Sequence, residues 1–152
     1  MSVDLEPARL AEVAETLRTG ERAATDHVEA TLARAAAVEP EMRSLVEEPR
    51  REERLRAAAA GLEERYPDPG SRPPLYGVPV GVKDIFHVTE LPTRAGSELP
   101  PGELAGPQAD VVTALREAGA LVLGKTVTTE FAYMVPGPTR NPHDLGHTPG
   151  GS

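Results

Sequence analysis

The chain has 152 residues, 39% of them hydrophobic, enough for one soluble globular domain with a core of its own. Its 16 basic and 24 acidic residues give a net charge of −8, which argues against nucleic acid as a main partner because no basic stripe is available to neutralise phosphates. Cysteine is absent, which excludes disulfides, thiolate nucleophiles and zinc–thiolate centres, and no apolar run approaches the ~20 residues of a membrane helix. The opening residues, MSVDLEPARL, lack the basic start and apolar core of a signal peptide, so the expected location is the cytoplasm.

Up to about Tyr66 the chain is rich in Ala, Glu and Arg and reads as a helical segment, residues 1–66. Leu10, Val13, Ala14 and Leu17 share one helix face, with Pro7 near the start and Gly20 just past the end. A second helix has Thr25 or Asp26 as its cap, Val28, Leu32, Ala35 and Ala36 as its apolar stripe, and Pro40 as its stop. A third, from about Pro49 to Arg65, is more polar; its Glu52, Glu53, Glu63 and Glu64 read as solvated surface. Residues 67–76, with the stretch PDPGSRPP, form a stiff linker that opens the second part, residues 77–152. There, GVPVGV (77–82) reads as a buried strand beginning near its proline, followed by a Pro- and Gly-rich loop over roughly 88–107. Residues 108–118 read as a helix with Val111, Val112 and Leu115 inward; Gly119 ends it, and ALVLG (120–124) is a second buried strand. Alternating helix and strand indicate an α/β domain. Both strands are near-continuous apolar runs, which implies cover on both faces. Two short strands cannot form a sheet with that much burial, so their neighbours are expected from chain beyond residue 152.

Four groups of residues bear on chemistry. GALVLGKT (119–126) matches a phosphate-loop pattern letter for letter. Its middle is a strand and a helix precedes it, the inverse of the strand–loop–helix order such a loop needs, so Lys125 is expected at a strand end, structural or lining a site. His143 and His147 have the i, i+4 spacing of a helical metal site, but Pro142, Gly146 and Pro149 forbid the helix, and no metal ligand set is expected. His27 and His87 read as structural. Lys83 ends an apolar strand, where the simplest role is a strand-end charge paired with Asp84. A desolvated lysine, however, has its neutral form favoured and can act as a general base. Successive strand residues point to opposite faces, which turns Asp84 away from it. In HTPGGS (147–152) two glycines deliver Ser152 on a backbone free to take unusual dihedrals.

Taken together, these segments resemble the amidase signature enzymes. GVPVGVKD (77–84) is similar to the family's lysine strand, LPTRAGS (91–97) to one of its turns, and DVVTALREAGALVLGKTVTTEFA (110–132) to its helix–strand–helix segment. TRNPHDLGHTPGGS (139–152) resembles the opening of its glycine- and serine-rich stretch, and the N-terminal helices fit its usual start. The resemblance departs in detail: Gly81 stands where the family often has Ala or Ser, and Ile85 where many members have Asn.

The resemblance implies the N-terminal portion of an α/β fold with a mixed central sheet covered by helices. It implies a Ser–Ser–Lys triad in which Lys83 is the catalytic lysine and Ser152 the bridging serine, held across a cis peptide bond to Gly151. The attacking serine and the oxyanion-hole N–H groups lie further along the family's chain, so this segment is expected to be a fragment, inactive by itself. It implies a small-molecule amide substrate, no cofactor and no metal, and leaves a homodimer open for the full-length protein. Tyr133 and Met134 are weak candidates for the acyl pocket, against the simpler role of a helix packing on the core. The short step from Glu130 to Thr139 is closer to the free-standing amidases than to the A-type chains of tRNA-dependent amidotransferases. The remaining rivals are such an A-type amidotransferase chain, a non-catalytic truncated module, and a nucleotide binder resting on GALVLGKT alone.

Overall fold

The computed structural model describes residues 9–151. Helix α1 (Leu10–Thr19) buries Leu17 and closes as expected on Gly20, whose φ of 83° lets its N–H reach back to the Leu17 carbonyl. Helix α2 (Ala24–Met42) departs from expectation at both ends. Neither Thr25 nor Asp26 caps it. Ala23 holds the N-cap position, and the Thr25 N–H and hydroxyl instead donate to the Glu63 carboxylate at 2.9 and 3.1 Å. A partner 38 residues away thus puts negative charge on the positive end of the helix. Nor does Pro40 stop α2, which runs through it to Met42. A proline removes one helical N–H, but the helix ends where Arg43 turns left-handed (φ 51°) and the Glu39 carboxylate accepts the N–H groups of Ser44 and Leu45 at 3.1 and 2.9 Å.

Helix α3 (Arg51–Arg65) buries only Leu55 and Ala59. It is tied to the sheet by Arg54, which donates to the carbonyls of Val122 and Leu123 at 2.8 and 3.3 Å while Glu48 neutralises it at 2.6 Å. The proline-rich stretch after α3 is packed against the helices. Arg72 donates to the Leu17 carbonyl at 2.9 Å and stacks over the ring of Tyr76, which is fully buried.

Strands β1 (Pro79–Lys83) and β2 (Leu121–Thr126) pair in parallel, and helix α4 (Asp110–Glu117) lies in the connection between them. An irregularity between Val80 and Gly81 shifts the register, so that Val82 faces Lys125 and Lys83 faces Thr126. Leu45 adds an antiparallel bridge to Thr126, on which the Val46 N–H meets the Lys125 carbonyl at 2.8 Å. Among the described residues no strand pairs with the other edge of β1.

Apolar clusters of this chain pack on both faces of the sheet, but in β1 only Val82 is buried and Gly81 is exposed. Successive β2 residues divide the work. Leu121 joins Leu17, Val28, Leu55, Tyr76 and Val78 in one cluster, and Val122 joins Val82, Val88 and Val112 in a second. Val111, expected inward, is half exposed; Val112 alone of that pair is buried. The helix expected after β2 is absent. Glu130–Ala132 form a single 3-10 turn with Phe131 and Ala132 in left-handed conformation (φ 48° and 56°). No helix among the described residues is long and apolar enough to cross a membrane.

Candidate active site

Lys83 is the last residue of β1 and is half-buried. Its register partner is Thr126, so both side chains leave the same face of the sheet. Gly81 sits two residues earlier on that face. A Cβ there would come within 2.7 Å of the Thr126 methyl, which accounts for glycine where the resemblance suggested Ala or Ser.

Asp84 turns the other way, as strand alternation requires. Its carboxylate meets Lys125 Nζ at 2.7 Å, with both side chains at most 3% exposed. Lys125 Nζ also donates to Thr93 Oγ1 at 3.1 Å, and Thr93 Oγ1 lies 3.0 Å from His87 Nδ1. The Arg94 N–H faces the Asp84 carboxylate at 3.2 Å, while the Ala95 N–H donates to the Asp84 carbonyl at 3.0 Å. This network draws the turn LPTRAGS against the end of β1. Gly96 completes it: with φ 66° and a Cβ position only 2.8 Å from the Thr128 carbonyl, no larger residue fits without moving backbone.

None of Asp84, Thr93, His87 and Lys125 was singled out as a connected set from the sequence. One compositional signal was available: the chain has 14 arginines but only two lysines, Lys83 and Lys125. They stand at adjacent register positions of the two strands. Lys125 in this role also disposes of the phosphate-loop match, since Leu121–Thr126 is strand and its ammonium is buried against Asp84.

The glycine pair reaches the same neighbourhood by a series of local turns. Thr139 and Arg140 are pinned to the end of α2, through the carbonyls of Arg43 (2.8 Å) and Met42 (3.0 Å). Asn141 and Asp144 then accept the N–H groups of His143 and Gly146 at 2.9 and 3.0 Å, as Asx turns do. The Gly146 N–H, with His147 beside it, holds the Asp144 carboxyl below the usual carboxylate range. His143 and His147 lie on this exposed turn, where His147 Nδ1 meets Asp144 at 2.8 Å. Gly150 and Gly151 both have left-handed φ (80° and 73°), and they line a cavity of about 230 Å³ together with Ser44, Thr126, Thr128 and Thr139. Ser152 and its peptide bond to Gly151 lie outside the described residues.

Tyr133 and Met134 are 77% and 76% exposed and belong to no helix. They line neither this cavity nor a second one of about 370 Å³ formed by Ile85, His87, Thr93, Ala95, Leu104 and Phe131, to which their neighbour Phe131 contributes. A larger cavity, about 410 Å³ between α2 and α3, contains none of the candidate residues.

Comparison with known proteins gives the family. The family model described as Amidase matches residues 26–152. The A-type chain of a glutamyl-tRNA(Gln) amidotransferase from Nocardia farcinica is 36% identical over 98% of this chain and 31% of its own. An amidase of Pseudomonas putida is 39% identical over 93% of this chain and 30% of its own. Among solved structures, the native peptide amidase of Stenotrophomonas maltophilia superposes with a TM-score of 0.81 at 31% identity, covering 95% of this chain and 32% of that one. The chain thus spans about a third of the length of the relatives it matches. It shares their fold over nearly all of its own length, and it belongs to the amidase signature family.

Proposed function

We infer that the full-length protein carrying this chain is an amidase that cleaves a carboxamide C–N bond to acid and ammonia or amine through an acyl-enzyme. The observation that carries this reading is convergence. Thr126, the register partner of Lys83, lines the same cavity as Gly150 and Gly151, which immediately precede Ser152. The register partner of a strand-end lysine and a glycine pair far from it in sequence thus share one cavity.

In the Ser–Ser–Lys scheme, neutral Lys83 takes a proton from Ser152 as Ser152 takes one from the attacking serine, whose oxygen bonds the amide carbon. The proton returns along the same path to the departing nitrogen, and water then releases the acid. Serine and lysine suffice for this chemistry, with no metal or cofactor called upon. The substrate class is a small-molecule amide.

A second reading is an A-type amidotransferase chain, favoured by the 36% identity to the Nocardia farcinica protein over almost the whole chain. The short Glu130–Thr139 step favours the amidase. The test is ammonia release from a panel of primary amides by the full-length protein and its Lys83→Ala variant. Loss of several orders of magnitude in kcat is expected. Retention of more than about a tenth of the rate, a loss under ~1.4 kcal/mol, would make Lys83 a structural charge only. A full-length protein that turns over no amide would leave the non-catalytic module as the reading.

A further inference from the structure

We propose that the buried Asp84–Lys125 ion pair, extended through Thr93 to His87, is a positioning device that fixes where Lys83 presents its amine; this rests on the catalytic reading of Lys83 given above. A buried pair is a poor device for stability, because desolvating two charges costs roughly what their attraction returns, and apolar residues of similar size often serve as well. Its value lies in directional constraint. Asp84 follows Lys83 directly and is held at every polar group. Its N–H donates to the Thr126 carbonyl at 3.0 Å and its carbonyl accepts the Ala95 N–H at 3.0 Å. Its carboxylate is shared between Lys125 Nζ at 2.7 Å and the Arg94 N–H at 3.2 Å.

With residue 84 fixed on one face, alternation along the strand sends the Lys83 side chain from the other, on the face of its register partner Thr126, which lines the cavity with Gly150 and Gly151. Lys125 fixes the second strand at the adjacent register position: its side chain holds Asp84 and Thr93, and its carbonyl receives the Val46 N–H. Thr93 then ties in the loop through His87 Nδ1 at 3.0 Å, on the side of the sheet opposite Lys83. Asp84, Lys125 and Thr93 are accordingly positioning residues, acting on the amide only through Lys83.

The experiment uses the full-length enzyme in three forms besides wild type. Asp84→Asn with Lys125→Met removes both charges while keeping volume, so no unpaired charge is left buried. Thr93→Val removes only the hydroxyl, and Thr93→Ser keeps it. Positioning predicts a folded double variant with KM within about 3-fold of wild type and kcat lower by ~30-fold or more. It also predicts about a 10-fold loss of kcat in Thr93→Val that Thr93→Ser restores. A merely structural pair predicts a folded double variant whose kcat stays within about 3-fold of wild type, which would overturn the proposal. If the double variant does not fold, the two Thr93 variants decide on the same terms, equal rates overturning it. Pulse acetylation of Lys83, quantified on its peptide by mass spectrometry, gives a readout independent of turnover. Its rate should change by about 3-fold or more when the network is broken, through altered exposure and orientation of the amine, and an unchanged rate counts against the proposal. Should the wild-type protein hydrolyse no amide, the proposed function fails, and the acetylation rates alone decide whether the network sets the position of Lys83.

Discussion

One chemical change made at two glycines should give opposite results. Gly96 has φ 66°, and a Cβ there would lie 2.8 Å from the Thr128 carbonyl, 3.1 Å from that of Thr129 and 3.2 Å from Glu130 Cα. All three are backbone atoms, so no side chain can swing aside. Holding alanine in the left-handed region costs about 1–2 kcal/mol. Moving packed backbone by about half an ångström adds the ~1–3 kcal/mol typical of overpacking. Gly96→Ala should therefore destabilise by about 2–5 kcal/mol. Gly61, by contrast, lies inside α3 with nothing within 4 Å of a Cβ position. Gly61→Ala should stabilise by about 0.5–1 kcal/mol, since glycine loses more backbone freedom on entering a helix than alanine does. Urea unfolding of the full-length protein, followed by far-UV circular dichroism, measures both. Gly96→Ala with wild-type stability would refute the packing of the 93–97 turn on the 128–130 segment, and a destabilising Gly61→Ala would refute the open surface assigned to α3.

Three further outcomes follow from the fold. Lys125→Met alone leaves Asp84 buried with its charge unpaired and should cost about 3–5 kcal/mol in the same urea assay, whereas the Asp84→Asn, Lys125→Met pair should cost much less. The 152-residue segment produced alone should show no amide turnover, bind a hydrophobic dye and melt without a sharp transition. One edge of β1 lacks a strand neighbour among the described residues, and Phe86, Phe131, Tyr133, Met134 and Val135 are 40–77% exposed; a sharp melt by a monomer would contradict this. Burial, and then the nearby Arg22 guanidinium, push His27 below its ordinary value, so folding favours its neutral form. The unfolded chain takes up the proton first as pH falls, so stability present at neutral pH should decline through the ordinary histidine range. Melting temperatures at about pH 7.5 and about pH 5 should fall further for wild type than for His27→Gln, and equal declines would refute the shift.

Local rules were legible in the residues themselves. The 3.6-residue periodicity of Leu10–Leu17 with Gly20 behind it marks α1, and two apolar runs bounded by glycine and proline mark the two strands, though not their parallel pairing. The lysine strand and the Gly-Gly-Ser end were recognisable as family segments. Alternation alone turned Asp84 away from Lys83, because the two-residue period of a strand is a covalent consequence of the backbone. What the tertiary structure decided were the partners that distance along the chain conceals. Glu63 caps α2 in place of Thr25 or Asp26, because a carboxylate brought by packing competes with any local cap, whereas the end of α2 beyond Pro40 is made locally by Glu39 and the left-handed Arg43. Phe131 to Met134 do not continue a helix; Phe131 is left-handed and its N–H donates instead to the Ala95 carbonyl at 2.8 Å. Lys125 finds Asp84, and Gly150 finds Thr126, only when the parallel register and the turns after Thr139 are in place. Sequence periodicity sets which face a side chain leaves from; which group waits there depends on packing between segments distant in sequence, and no local pattern encodes it.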